Sequence, residues 1–238
     1  MTATTLAAFI ALVGPPASGK RTVAAGLCSR RHGQVFQLRE VARRGRRDGW
    51  LAPPSPLTGR EVDGLSPESV DAVLHEALLQ GRFPAGEVVV FEGFPTTADQ
   101  LHSLRRLAVL RGVPLMVLEL GTAEDVLVGR ALARRVCPTC EPDPDGDPRQ
   151  PAQAAHDNPN RCGVCRQILV LRRCDNPTRF ARRLQSYWQD RPQIRQAASS
   201  FGIPWRPVDA SGQSSDVVNA AQQLMQELLP PAAVAMPG

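Results

Sequence analysis

Apolar residues gather along the chain in short runs separated by longer mixed stretches. Four runs read as strands: Leu6–Val13 (LAAFIALV), Glu87–Phe91, Pro114–Leu120 and Ile203–Val208. The intervening stretches carry helix punctuation. Ser66 can cap a helix with Pro67 at its first position and Gly81 just past its end, giving SPESVDAVLHEALLQG. Thr97 and Gly112 bracket TADQLHSLRRLAVLRG in the same way, and Thr122 is expected to open TAEDVLVGRALARR with acids in its first turn. Asn176 and Pro177 open NPTRFARRLQSYWQD, which Pro192 is expected to end or kink. Strands alternating with helices predict an α/β fold with a central parallel sheet flanked by helices.

Two segments break the alternation. Residues 34–82 read as a mainly helical insert, arginine-rich at Val41–Arg47 and proline-rich at Pro53–Pro56. Residues 136–170 hold four cysteines around EPDPDGDPRQPAQAAHDNPNR, a stretch too rich in Pro, Asp and Asn to fold by itself. The tail from residue 231 is expected to fray.

At 238 residues the chain suits one large domain, or one core with small inserted modules. Its longest early apolar run lacks the basic start and small-residue cleavage site of a signal peptide, and no run approaches the roughly 20 residues that span a bilayer. A cytoplasmic protein with no membrane partner is expected. The net charge of +5 is spread along the chain without interleaved aromatics, so nucleic acid is not the expected partner. Of the 28 basic residues, 27 are Arg, and the one lysine is Lys20. A bias that made every other basic position arginine spared the position where a compact, mobile ammonium suits a phosphate better than a planar fork.

Lys20 lies in VGPPASGKRT. A strand, Gly14, four residues, Gly19, Lys20 and then an apolar helix is the context of a phosphate-binding loop. The glycines let backbone amides turn inward, and the helix N-terminus adds partial positive charge. Strict loops of this kind place Ser or Thr directly after the lysine, whereas here Arg21 intervenes and the hydroxyl arrives at Thr22. Downstream, Cys137-x-x-Cys140 and Cys162-x-x-Cys165 are separated by 21 residues, close to the spacing of a two-knuckle Zn²⁺ site. Four thiolates close the coordination sphere, so the metal would be structural and would supply folding energy that the polar segment lacks. Disulfides or reactive thiols are the alternatives, and His156 is a spare candidate ligand. Cys28 and Cys174 read as packing residues.

GPPASGKRT resembles the loop of the nucleoside monophosphate kinases, adenylate kinases in particular. The resemblance continues in order through EGFPTTADQL, GRALARRVCPTC, LRRCDNPTRFARRL and VDASG. It implies a P-loop three-layer α/β/α core at 1–33, 83–135 and 171–230, an acceptor-binding insert at 34–82 and a zinc-bearing lid at 136–170. It implies transfer of the γ-phosphate of Mg-ATP to a nucleoside monophosphate, with AMP the favoured acceptor, by a monomer. ATP binding falls to Gly14, Ala17, Ser18, Gly19, Lys20, Arg21, Thr22 and Arg130. Catalysis falls to Lys20, Arg130, Arg134, Arg172 and Arg183, since a guanidinium fork binds two oxygens of a moving phosphoryl group. Arg130 and Arg134, at i and i+4, are expected on one helix face. A solvated arginine face is the alternative. The acceptor falls to Arg39, Gly93, Thr96, Gln100, Arg172 and Arg183. Glu92 stands where the family carries the aspartate that organises Mg²⁺ waters, and Asp175 matches one of two lid-anchoring aspartates, the other position being Cys174.

Three departures stand out. Thr96 replaces the family's arginine after G-F-P, leaving Arg60 or Arg82 as possible substitutes for its charge. The threonine-glycine-aspartate turn expected near GQVFQLR is absent, with only Arg39 retained. Arg21 has either a phosphate or solvent to face. Two other readings compete with a kinase: an ATP-binding regulator of the same fold that has lost efficient transfer, and a zinc ribbon for nucleic acid.

Overall fold

Residues Ala8–Val13 are apolar and buried at every position and form a strand, β1, at the centre of the sheet. The computed structural model describes residues 8–29, 33–52, 65–83, 87–142 and 151–228. After β1 come α1 (Lys20–Ser29), β2 (Gly33–Phe36), α2 (Leu38–Arg47), α3 (Pro67–Leu79), β3 (Val88–Glu92), α4 (Ala98–Arg111), β4 (Leu115–Gly121) and α5 (Glu124–Ala133). Four short strands follow, β5 (Arg135–Val136), β6 (Ala154–Ala155), β7 (Asn158–Cys162) and β8 (Val170–Leu171). The chain closes with α6 (Pro177–Ser200), β9 (Trp205–Asp209) and α7 (Ser214–Leu228).

The main sheet runs β2-β3-β1-β4-β9 with every pairing parallel. Alternation along the strands sorts its side chains into two cores. Phe9, Ala11 and Val13 join Phe91, Val117 and residues of α2, α3, α4 and α6 on one face. Ile10 and Leu12 join Val90, Leu118, Leu120 and residues of α1 and α7 on the other. Both faces are covered, the condition under which a parallel sheet is stable. This is the predicted α/β architecture, and it gathers the loops after β1, β2, β3, β4 and β9 at one edge, where ligands of open parallel sheets bind.

Several expected boundaries hold. Ser66 accepts from Ser69 N–H, Thr97 from Gln100 N–H and Asn176 from Thr178 N–H, and Gly112 ends α4 in the left-handed conformation. Others are corrected. Thr122 does not cap α5: Ala123 takes that position in extended conformation, and Thr122 Oγ1 is buried without a hydrogen-bond partner. Pro192 does not end α6, which continues to Ser200, because the proline sits on the exposed face, where water can satisfy the carbonyl that its missing N–H leaves. Residues 34–36, expected in a helical insert, belong to β2 and pair with β3, since Phe36 is drawn into the aromatic cluster of Phe9, Phe83 and Phe91. Pro53–Pro56, Arg60 and the tail from residue 231 lie outside the described residues.

Candidate active site

The loop after β1 is shaped by positive φ angles at Gly14 (151°), Ala17 (65°) and Gly19 (89°). A Cβ at Gly14 would stand 2.7 Å from the Leu120 carbonyl oxygen, so glycine is required there on grounds of space as well as torsion. The loop turns on a Ser18 N–H to Pro15 O bond, and α1 starts at Lys20 with no acid in its first turn. Lys20 Nζ folds back onto Gly14 O (2.8 Å) and Pro15 O (2.7 Å). Thr22 is exposed on the first turn and Arg21 is half-buried beside it. Ala17 packs against a small core of Leu127 and Ala131 from α5 with Phe180 and Leu184 from α6, which fixes the loop tip against the two helices that carry or precede the candidate arginines.

Two of those arginines, Arg134 and Arg183, lie close enough to Lys20 to act on its charge, as does Arg39. Burial lowers the Lys20 ammonium to about 7, Arg183 acts next in the same direction, Glu92 opposes, and Arg39 and Arg134 lower it further. Burial also holds Arg183 below its usual range, against Cys174 and Asp175 and with Arg172 and Arg39 adding to the fall. Lys20, Arg39, Arg134, Arg172 and Arg183 therefore form one field, faced by the carboxylates of Glu92 and Asp175. Cations exceed anions, the condition a polyphosphate corrects. A bound polyphosphate would return Lys20 to its ammonium form, so ATP binding above about pH 7 is expected to take up a proton and to weaken as pH rises towards the ordinary lysine value of 10.5. Calorimetry at pH 8 in buffers of different ionisation enthalpy measures this uptake, and equal heats in all buffers would contradict it.

Asp175 is fully buried and organises this field. Its Oδ2 accepts from Arg134 Nε at 2.6 Å, and its Oδ1 lies 3.6 Å from Arg183 Nη1. Arg183 Nη1 also donates to Cys174 O (3.3 Å) and approaches Cys174 Sγ (3.1 Å), so the cysteine at the second anchor position still faces the arginine through its sulfur. Asp175→Asn would weaken two charge-assisted contacts, and we expect a loss of about 1.5–3 kcal/mol in a urea titration. Arg130 and Arg134 do not share a helix face as expected. The helix stops at Ala133, Arg134 becomes its extended C-cap and turns to Asp175, and Arg130 donates instead to Ser211 O at 3.3 Å. Arg130 thus reaches the loop after β9 rather than the cluster around Lys20.

Two contacts in the segment expected to meet the acceptor were not read from the sequence. Glu92, at the end of β3, accepts from Gln37 Nε2, a residue the sequence pattern did not single out. Gly93 follows with φ of 66°, and its side facing Lys20 is close enough that an added Cβ would lie 3.8 Å from Lys20 Cε. Gln100 is buried at 6% exposure, and its Oε1 accepts from Thr96 N–H (2.7 Å) and Thr96 Oγ1 (2.9 Å), so the carboxamide oxygen is engaged inside the protein. Arg82 closes α3 with its N–H on Ala77 O.

The two cysteine pairs meet. The Sγ atoms of Cys137, Cys140, Cys162 and Cys165 lie within 4.8 Å of one another, with Cys137–Cys165 at 3.3 Å and Cys140–Cys162 at 3.7 Å. Four thiolates around a tetrahedral Zn²⁺ with bonds of about 2.3 Å would stand about 3.8 Å apart. The set fits that ion. No disulfide joins them, since all six cysteines are free. Backbone N–H groups, that of Cys140 first, pull Cys137 down, and those of Cys165 and Val164 pull Cys162 to about 6, while the neighbouring sulfurs of Cys165, Cys137 and Cys162 push Cys140 to about 12. A divalent cation is what would let all four ionise together. His156 is outside the group, exposed between β6 and β7. The β5–β8 pair forms a two-stranded stem below this centre.

One anchoring group escaped sequence reasoning. Glu119, buried in β4, accepts from Tyr187 Oη (2.6 Å), Arg191 Nη2 (2.9 Å) and Nε, and Trp205 Nε1 (2.9 Å). Burial alone would raise its pKa, but the donors hold it below the usual carboxylate range. The network fastens α6 to the sheet one turn beyond Arg183. A lone acid in the apolar run VLELG was the signal available.

No family model matches the chain. Its sequence is 31% identical over 223 residues to proteins named adenylate kinase from Novosphingobium aromaticivorans and from Rhizorhabdus wittichii, in each case covering 91% of this chain and 98% of the relative. A third, from Salinispora tropica, is 30% identical and covers 75% of this chain. With the sheet, the loop around Lys20 and the cysteine centre in place, likeness over this length shows that the chain belongs to the adenylate kinase family.

Proposed function

We propose that the protein moves the γ-phosphoryl group of Mg-ATP to a nucleoside monophosphate, with AMP as acceptor. The observation that supports this is geometric: Lys20 Nζ folds onto Gly14 O and Pro15 O just past β1, and Arg134 and Arg183, which with Arg39 act on its charge, meet at the buried Asp175. An acceptor phosphate oxygen forms a bond to the γ-phosphorus as the bond to the β–γ bridging oxygen breaks, leaving two diphosphates and no net proton. Charge spreads over the moving oxygens, and preorganised cations stabilise it without rearranging water. Lys20 and the amides of the loop hold the donor phosphates. Arg134 and Arg183, fixed by Asp175, and Arg172 flank the transferred group, and Arg39 lies towards the acceptor. Arg130, beside Ser211, orients the nucleoside end of ATP. Mg²⁺ bound with ATP would supply further charge neutralisation, and Glu92, a hard oxygen donor held by Gln37, fits a role in holding its water shell.

We assign the core to 1–36, 83–135 and 171–230, with the acceptor-binding segment at 37–82, after β2, and the lid at 136–170. In the lid, Cys137, Cys140, Cys162 and Cys165 would hold a structural Zn²⁺. Closure of that lid would exclude water, so that ATP is not merely hydrolysed. Among the described residues no helix is long and apolar enough to cross a membrane. Coupled assays with ATP and each of the common monophosphates test the reading; diphosphate formation with AMP supports it, and no transfer to any acceptor rejects it. Thr96, which lacks the charge the family places there, favours a second reading, an ATP-binding regulator, which calorimetry would reveal as tight ATP binding with negligible turnover.

A further inference from the structure

We propose that the acceptor site also phosphorylates 6-oxopurine nucleoside monophosphates, because Thr96 turns Gln100 from a two-way reader of the base into a donor. This rests on the reading that Gln100 faces the acceptor base. A backbone N–H can only donate, so the carboxamide atom 2.7 Å from Thr96 N is the oxygen, and the amide orientation follows without ambiguity. The Thr96 hydroxyl takes the second lone pair of the same oxygen at 2.9 Å. The main chain of Gln100 is held as well, its N–H on Thr97 Oγ1 in the first turn of α4.

The carboxamide edge that can meet a base is then Nε2, a donor. Adenine pairs best with an amide that both accepts from its N6 amino group and donates to a ring nitrogen. With Oε1 engaged, adenine keeps the ring-nitrogen bond and loses the partner for its amino group. A 6-oxopurine presents acceptors at both O6 and N7, either of which Nε2 can satisfy. A site that bonds both edge groups of one base rejects the analogue strongly, and this site lacks the acceptor on which such rejection depends. The cause is local: a threonine hydroxyl is short enough to bond the amide four residues on, whereas a longer side chain at position 96 would extend past it.

The test compares kcat/KM for AMP and inosine monophosphate, which differ at C6 and N1, under saturating Mg-ATP. We expect the two to agree within about tenfold, and a preference for AMP above about a hundredfold would overturn the inference. Thr96→Val keeps the shape and the backbone donor while freeing one lone pair of Oε1. It is expected to raise the AMP-to-inosine-monophosphate ratio by about 3- to 10-fold, and an unchanged or lowered ratio would overturn the inference. Efficient transfer to AMP alone would defeat this inference and leave the kinase reading standing, whereas no transfer to any monophosphate would defeat both.

Discussion

Replacing Lys20 with methionine is expected to lower the rate of phosphoryl transfer by about 10²–10³-fold, the loss typical when one preorganised charge is removed from a developing oxyanion. Met is unbranched and one atom shorter, so the first turn of α1 is not expected to be disturbed. The substitution removes the bonds to Gly14 O and Pro15 O, but it also removes an ammonium that burial and Arg183, Arg39 and Arg134 all disfavour. These effects oppose each other, and the melting temperature is expected to stay within about 4 °C of the parent, equivalent to about 1 kcal/mol for a domain of this size. A collapse of rate with an intact fold locates the lysine in the chemistry. A rate within about threefold of the parent would remove Lys20 from the catalytic set.

Removing metal from the cysteine centre should have the largest effect on local structure. Structural Zn²⁺ bound by such thiolate sets contributes about 10–16 kcal/mol of apparent binding free energy at neutral pH. Among its described residues the segment it closes has a small core, Cys137, Cys162 and Leu169 with Ala152 and Cys165 packed against them, besides the buried Val136 and Ala155. We expect one Zn²⁺ per chain by elemental analysis. Stripping it with a strong chelator, or introducing Cys137→Ser, should leave the far-ultraviolet signal of the core nearly intact while making residues 136–170 rapidly cleavable by protease. Transfer should fall together with this loss, because the stem β5–β8 joins the lid to Arg134 on one side and Arg172 on the other. Protection from protease that survives metal removal would show that the thiols alone hold the lid.

Much of this was legible in the sequence because it is written in local chemistry. The strand, glycines and lysine of the phosphate loop, the caps at Ser66, Thr97 and Asn176, and the two cysteine pairs each depend on residues a few positions apart. What the sequence withheld depends on partners far along the chain. β2 is four residues of GQVF with one fully buried position, Phe36, and only the aromatic cluster it joins makes it a strand. Arg134 leaves its helix because Asp175, 41 residues on, receives its guanidinium. Glu119 could be noticed as an acid in an apolar run, but not matched to Tyr187, Arg191 and Trp205. The engagement of Gln100 by Thr96 is local, yet it depends on a side-chain orientation that pattern alone does not specify.

On the proposed function, Lys20 and the arginine cluster would form one site spanning donor and acceptor phosphates. Calorimetric titration with a bisubstrate analogue, two adenosines joined by five phosphates, is the decisive measurement. We predict one site per chain with affinity at least about a hundredfold above that of ATP, since one molecule would fill both halves at once, and at least about tenfold weaker binding in both Lys20→Met and Arg183→Lys. Binding no tighter than ATP, or indifferent to both substitutions, would contradict it.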